Sequence, residues 1–172
     1  MKRLICFCIL LIIATGLLVS CNGTGKEETS SQPEQKSSEV TEPSHSYAGK
    51  YMLKIDIDGH ILYAEFMDNS SADAFIEKLE QEGELRLFMT DYGGFEKVAP
   101  LPWELPTNDE RITTVPGDVI LYLGNNLTIY YDENTWDFTR IAHIVDTEPE
   151  RLRELLGIGN VDIIFTLEEN TK

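Results

Sequence analysis

"MLKIDIDGHILYAEFM", residues 52–67, decides the fold class. Asp58-Gly59 sits at its centre. That dipeptide is the strongest short hairpin signal, because both positions of a tight two-residue turn need positive φ. A two-residue loop there pairs Ile57 with His60, Ile55 with Leu62 and Leu53 with Ala64. Leu53, Ile55, Ile57, Leu62, Ala64 and Phe66 then share one face, while Lys54, Asp56, Tyr63 and Glu65 share the other. A slip of one residue would exchange the two faces, so turn and pattern fix the same register.

Working outward towards the C-terminus, a helix follows. Asn69 or Ser70 can cap it, Ala72, Phe75, Ile76 and Leu79 recur at helical spacing, and Gly83 stops it. "ELRLFMT", residues 84–90, alternates Leu85, Leu87 and Met89 against Arg86 and Phe88, as a strand does. "DYGGFEKVAPLPWELP", residues 91–106, reads as a long connection that does not continue the strand. Gly93-Gly94 permits a sharp turn, and Pro100, Pro102 and Pro106 stiffen a crossing over the surface. Residues 107–118 are polar and contain a Pro-Gly turn signal.

"DVILYLGNNLTIYY", residues 118–131, reads as a second hairpin turning at Gly124 to Asn126. "FTRIAHIV", residues 138–145, is apolar on both faces and belongs in the middle of a sheet. A short helix is expected from about Glu148 to Leu156. It has a Thr147-x-x-Glu150 capping box, Pro149 in its first turn, Gly157 at its end and a stripe of Leu152, Leu155 and Leu156. "NVDIIFTLE", residues 160–168, closes the chain as a last strand. Seven or eight short strands with two helices predict a mainly β fold, a closed or nearly closed barrel.

Towards the N-terminus, Met1-Lys2-Arg3 is basic and Leu4 to Val19 is apolar apart from Thr15 and Gly16. That run falls short of the roughly 20 residues of a membrane-spanning helix, and it describes an export signal. "LVSC", Leu18 to Cys21, resembles the lipobox of bacterial lipoproteins. The resemblance implies cleavage before Cys21, acylation of Cys21 and a membrane partner held through that lipid. The expected organisation is a signal peptide over 1–20, a lipidated cysteine and tether over 21–46, and one domain over 47–172. Cys6 and Cys8 would leave with the signal, so the mature chain would have no thiol to pair. The tether is rich in Ser, Thr, Glu, Gln, Lys and Pro, and it cannot bury enough apolar surface to offset ordering entropy.

The chain carries 14 basic and 30 acidic residues, a net charge of −16. Loss of Lys2 and Arg3 would leave 12 against 30, or −18. Such a surface disfavours nucleic acid as a partner, because phosphate contacts dominate that binding. It also disfavours direct contact with anionic head groups.

Three groups of residues invite a functional reading. Asp56-x-Asp58-x-His60 has strand spacing, but Asp58 falls in the turn and the glycine is misplaced for a Ca²⁺ loop, so no metal is expected. His143 shares a strand with Ile141 and Val145 and reads as a general base or as a hydrogen-bonded histidine of the barrel. Tyr92, Phe95, Trp103, Tyr130, Tyr131 and Trp136 either line an apolar groove or plug the barrel.

Three blocks in order are similar to bacterial cyclophilin-like domains. Asp91, Tyr92, Gly94, Glu96, Lys97, Leu101 and Pro102 carry the first. Gly117, Asp118, Tyr122, Asn126, Leu127, Ile129 and Tyr130 carry the second, and Arg140, Ile141 and Ile144 the third. Ala142 departs from the pattern, standing where a glycine is expected. The likeness spans about residues 54–144 and leaves the helix and strand of 147–168 as an extension. It implies a barrel with capping helices, akin to cyclophilin. It does not imply isomerase activity. The Phe-His-Arg and Gln-Gly-Gly signature of true cyclophilins is missing, and Gln81 is the domain's one glutamine. Glu96, Lys97 and Arg140 lie within the blocks, either meeting at the barrel mouth around a polar ligand or pairing to fix a loop. The expectation is a lipid-anchored, extracytoplasmic cyclophilin-like protein with a binding or accessory role. Its candidate groove residues are Tyr92, Glu96, Lys97, Trp103, Tyr130 and Arg140, its ligand a peptide or small molecule, and no cofactor is implied. A prolyl isomerase or chaperone of exported proteins, and a small-molecule-binding lipoprotein, stand as the alternatives.

Overall fold

The computed structural model describes residues 46–171 except 48 and 158. The expected signal segment, Cys21 and all but the last residue of the tether lie outside the described residues.

The opening hairpin forms as its pattern dictates. β1 (Tyr51–Ile57) and β2 (His60–Phe66) pair with Ile57 opposite His60, Ile55 opposite Leu62 and Leu53 opposite Ala64. Asp58 and Gly59 take φ of 51° and 84°, and the Asp56 carboxylate accepts a hydrogen bond from the Gly59 N–H at 2.7 Å. α1 (Ser70–Glu82) starts at Asn69, whose side chain accepts from Ala72 N and donates to Arg140 O, so the cap also pins the helix to the barrel. Ala72, Phe75, Ile76 and Leu79 are buried, and Gly83 ends the helix at φ 80°.

β3 (Leu85–Tyr92) is longer than its apolar pattern, because it runs on through Asp91 and Tyr92. The stretch expected to be a loop turns at once. Gly93 and Gly94, at φ of 63° and 73°, reverse the chain into β4 (Glu96–Pro100), which pairs with β3. A Cβ on Gly93 would fall onto the ring of Phe95. β5 (Glu110–Thr113) lies within the segment expected to be only polar linker. β6 (Asp118–Tyr122) and β7 (Asn126–Tyr130) form the second hairpin, followed by the long β8 (Thr135–Val145). α2 (Pro149–Leu156) and β9 (Val161–Glu169) complete the described chain. The expected capping box of α2 does not form. Glu148 is the N-cap without a side-chain bond, and the Thr147 hydroxyl turns back to Val145 O at 3.2 Å.

All strand pairs are antiparallel, in the order β2-β1-β9-β3-β4-β7-β6-β8-β5, and pairing of β2 with β8 closes an eight-strand barrel. β5 is the extra strand, attached to the first half of β8. The last strand is therefore no appendage: β9 stands between β1 and β3 and bonds to both. Inward side chains alternate along each strand, as with Leu127 and Ile129 of β7 or Ile163 and Phe165 of β9, and make one continuous core. A second, smaller cluster of Ile120, Tyr130 and Phe138 forms on the other face of the β6–β7 wall.

Candidate functional site

Period 2 on β4 and β7 creates the site. Lys97 and Ala99 stand opposite Ile129 and Leu127, on the core side. Glu96 and Val98 stand opposite Tyr130 and Thr128, on the outer side. The first half of β8 projects beyond its pairing with β6, carrying β5, and brings Trp136 and Phe138 to the same outer wall. Between them lies a cleft of about 460 Å³, its walls formed by Tyr92, Tyr122, Tyr130, Trp136 and Phe138, with Val98 and Thr128 on its sheet wall.

The aromatic walls are held by ring contacts. Tyr130 stacks on Phe95 with centroids 6.2 Å apart and tilts against Phe138 at 5.6 Å. Tyr122 meets Phe138 edge-on at 5.9 Å, and Tyr92 meets Phe95 likewise at 5.9 Å. Asn126 and Asn134 add amide groups to the rim, and Asn134 Nδ2 donates to the Tyr130 hydroxyl at 3.5 Å.

Among the described residues, Glu96 is the one charged side chain lining this cleft. It is only 8 % exposed, and its Oε2 has no hydrogen-bond partner among the described residues. Burial pushes its carboxyl above the ordinary range, against a smaller opposing pull from the Tyr130 hydroxyl. The Tyr130 phenol is also pushed up, by burial first and then by the neighbouring Glu96 carboxylate.

The structure separates the candidate residues of the sequence reading. Tyr92, Glu96 and Tyr130 line the cleft together. Lys97 does not. It is fully buried on the opposite face, where its ammonium donates to Asp91 at 2.7 Å and to Gly159 O at 2.5 Å, over the Tyr131 ring at 5.3 Å. Tyr131 also donates to Asp91, and the Lys97 bond, then the Tyr131 bond, hold the Asp91 carboxyl below its ordinary range. Trp103 packs against the main core, edge-on to Phe75 at 6.4 Å.

Arg140 lies outside the cleft too. It borders a second recess of about 340 Å³ with Asn69, Asn108 and Glu110. Its guanidinium donates to the fully buried Asp118 at 2.8 Å, and its Nε is buried without a partner among the described residues. Asp118 also accepts from Val115 N at 3.0 Å and bonds His143 Nδ1 at 2.8 Å. Of the two alternatives for Glu96, Lys97 and Arg140, the meeting at one barrel mouth does not occur, and the two cations pair with Asp91 and Asp118 rather than with Glu96. Successive residues of a strand point to opposite faces, so Glu96 and Lys97 cannot share a site.

Tyr122, Asn126, Thr128, Asn134 and Phe138 are cleft residues that the sequence reading did not single out as a site. Alternation on 118–131 carried the signal for three of them, since the residues between the inward ones had to share an outer face.

A closed antiparallel barrel with two helices and an aromatic cleft on its outer wall defines the class: a cyclophilin-like β-barrel protein. The model of the cyclophilin-like family matches residues 55–168, and the chain belongs to that family. The match takes in α2 and β9, the segment expected to be an extension, in keeping with the place of β9 in the barrel wall. No curated protein and no solved structure matches the chain.

Proposed function

We propose that this chain is a lipid-anchored, extracytoplasmic binding protein whose cyclophilin-like barrel takes a ligand in the outer cleft and serves an accessory role. The cleft carries the reading. Its volume of about 460 Å³ lies in the range of small-molecule sites, it is walled by rings, and a few polar groups converge on it. Aromatic walls of this kind hold apolar bodies and orient them by their polar edges. The anchoring rests on the "LVSC" motif and the polar segment after it.

The isomerase alternative needs a donor to the prolyl nitrogen beside an apolar groove. Here the groove holds a carboxylate, and Arg140 is committed to Asp118 beside another recess. Proline isomerisation of a model peptide is therefore expected at the uncatalysed rate. A clear rate enhancement that Glu96→Gln or Phe138→Ala removes would replace the binding reading with the catalytic one.

Binding itself is tested by a thermal-shift screen of peptides, aromatic small molecules and sugars, since a ligand specific for the folded state must raise its stability. Stabilising compounds are expected to lose their effect in Phe138→Ala. Hits indifferent to that change would move the site elsewhere. For the anchor, palmitate incorporation is expected in the wild type and lost in Cys21→Ser; incorporation surviving that change would refute it.

A further inference from the structure

The cleft contains an unmet electrostatic demand. A carboxylate buried in apolar surroundings is costly unless something pairs with it. Among the described residues Glu96 Oε2 has no partner, and those lining the cleft include no lysine or arginine. Two cations close to the cleft are engaged elsewhere: Lys97, next to Glu96 in sequence, with Asp91 behind the sheet, and Arg111 of β5 with Asp137 at 3.6 Å and over the Trp136 ring at 5.5 Å. The cleft that Glu96 lines is walled by Tyr92, Tyr122, Tyr130, Trp136 and Phe138. Ring faces carry negative potential and attract a desolvated cation. The whole chain, at a net charge of −16, adds a field of the same sign.

We propose that the ligand of this cleft carries an organic ammonium group, a primary or methylated amine on a small apolar body, and that the group seats against Glu96 within the aromatic walls. This rests on the cleft being the ligand site and names the class of ligand it takes. The cation would supply the charge partner that the Glu96 carboxylate lacks. It would also draw Glu96 into its charged form on binding, reversing the effect of burial. A neutral ligand of the same shape would fill the walls and leave the carboxylate as unsatisfied as before.

Two matched pairs of probes test this by calorimetry with the full chain. Choline is compared with its uncharged isostere 3,3-dimethylbutan-1-ol, and benzylamine with benzyl alcohol. The pairs separate methylated from primary amines. The expected result at neutral pH is that at least one cation binds about tenfold or more tighter than its neutral counterpart. Glu96→Gln should reduce that ratio to near one. In the wild type the ratio should also collapse as acid protonates Glu96, while the neutral probes bind as before; this measurement stands even if the variant folds poorly. Equal binding within both pairs, or a preference for the cation that survives Glu96→Gln, overturns the ammonium assignment and leaves the cleft as a site for neutral ligands. No binding by any probe also overturns it. The reading of the cleft as a binding site falls separately, only if the broader screen finds no ligand sensitive to Phe138→Ala.

Discussion

Glu96 is the residue on which the site turns, and its placement has a thermodynamic consequence. Its folded carboxyl titrates higher than in the unfolded chain because burial disfavours the charge. Above that raised value the native state holds a charge it disfavours. As pH falls through it, the native state takes up a proton before the unfolded chain does, and stability is gained. Glu96→Gln removes the burden. It is expected to stabilise the ligand-free protein at pH 7 by about 1 kcal/mol, roughly 3 °C in melting temperature, with the gain shrinking towards pH 4. Thermal melts across that range check it; a loss of stability at pH 7 would show that Glu96 is a structural partner. Asp91, five residues earlier, has the opposite sign. The bonds from Lys97 and Tyr131 lower its carboxyl, so its contribution is present above the unfolded value of about 3.9 and is lost as pH falls through the folded one. Asp91→Asn should therefore cost stability at neutral pH and little in strong acid, measured by the same melts.

Among the elements, the hairpin of β3 and β4 was the least legible in sequence, and the reason is physical. Three prolines, two glycines and three carboxylates within residues 91–106 present as a loop. Yet Glu96 to Pro100 is a strand because tertiary pairing with β3 and β7 overrides local composition. Pro100 sits at its last position, where a missing N–H matters least. Once the segment is a strand, Glu96 and Lys97 must part, one to the cleft and one to the core. The opening hairpin, α1 and the strand over 84–90 were legible, because turn chemistry, capping and alternation agree there. β9 was legible as a strand but not as a wall of the barrel: nothing local in "NVDIIFTLE" says that it pairs with β1 and β3 at once. Its placement carries a prediction. A chain ending at Asp146 should lack cooperative thermal unfolding, because β1 and β3 would each lose a partner strand and expose edges. A sharp transition in that truncated chain would contradict the topology.

At the scale of the whole molecule, two faces of one wall do different work. The core side of β4, β7 and β6 closes the barrel with aliphatic side chains and the paired Lys97, and the outer side is left to β8, β5 and the aromatic cleft. The cleft is thus built on strands held from behind rather than on loops, a footing suited to a site that must keep its shape. The two tryptophans divide in the same way: Trp103 packs against the main core, and Trp136 lines the cleft and is half-exposed. Trp103→Phe leaves Trp136 as the only indole, a reporter placed inside the proposed site. Titrating that variant with a compound that stabilises the wild type measures the central claim directly. The account predicts a saturable change in Trp136 emission whose midpoint matches the midpoint of stabilisation; a compound that stabilises the protein while Trp136 emission stays unchanged would contradict it.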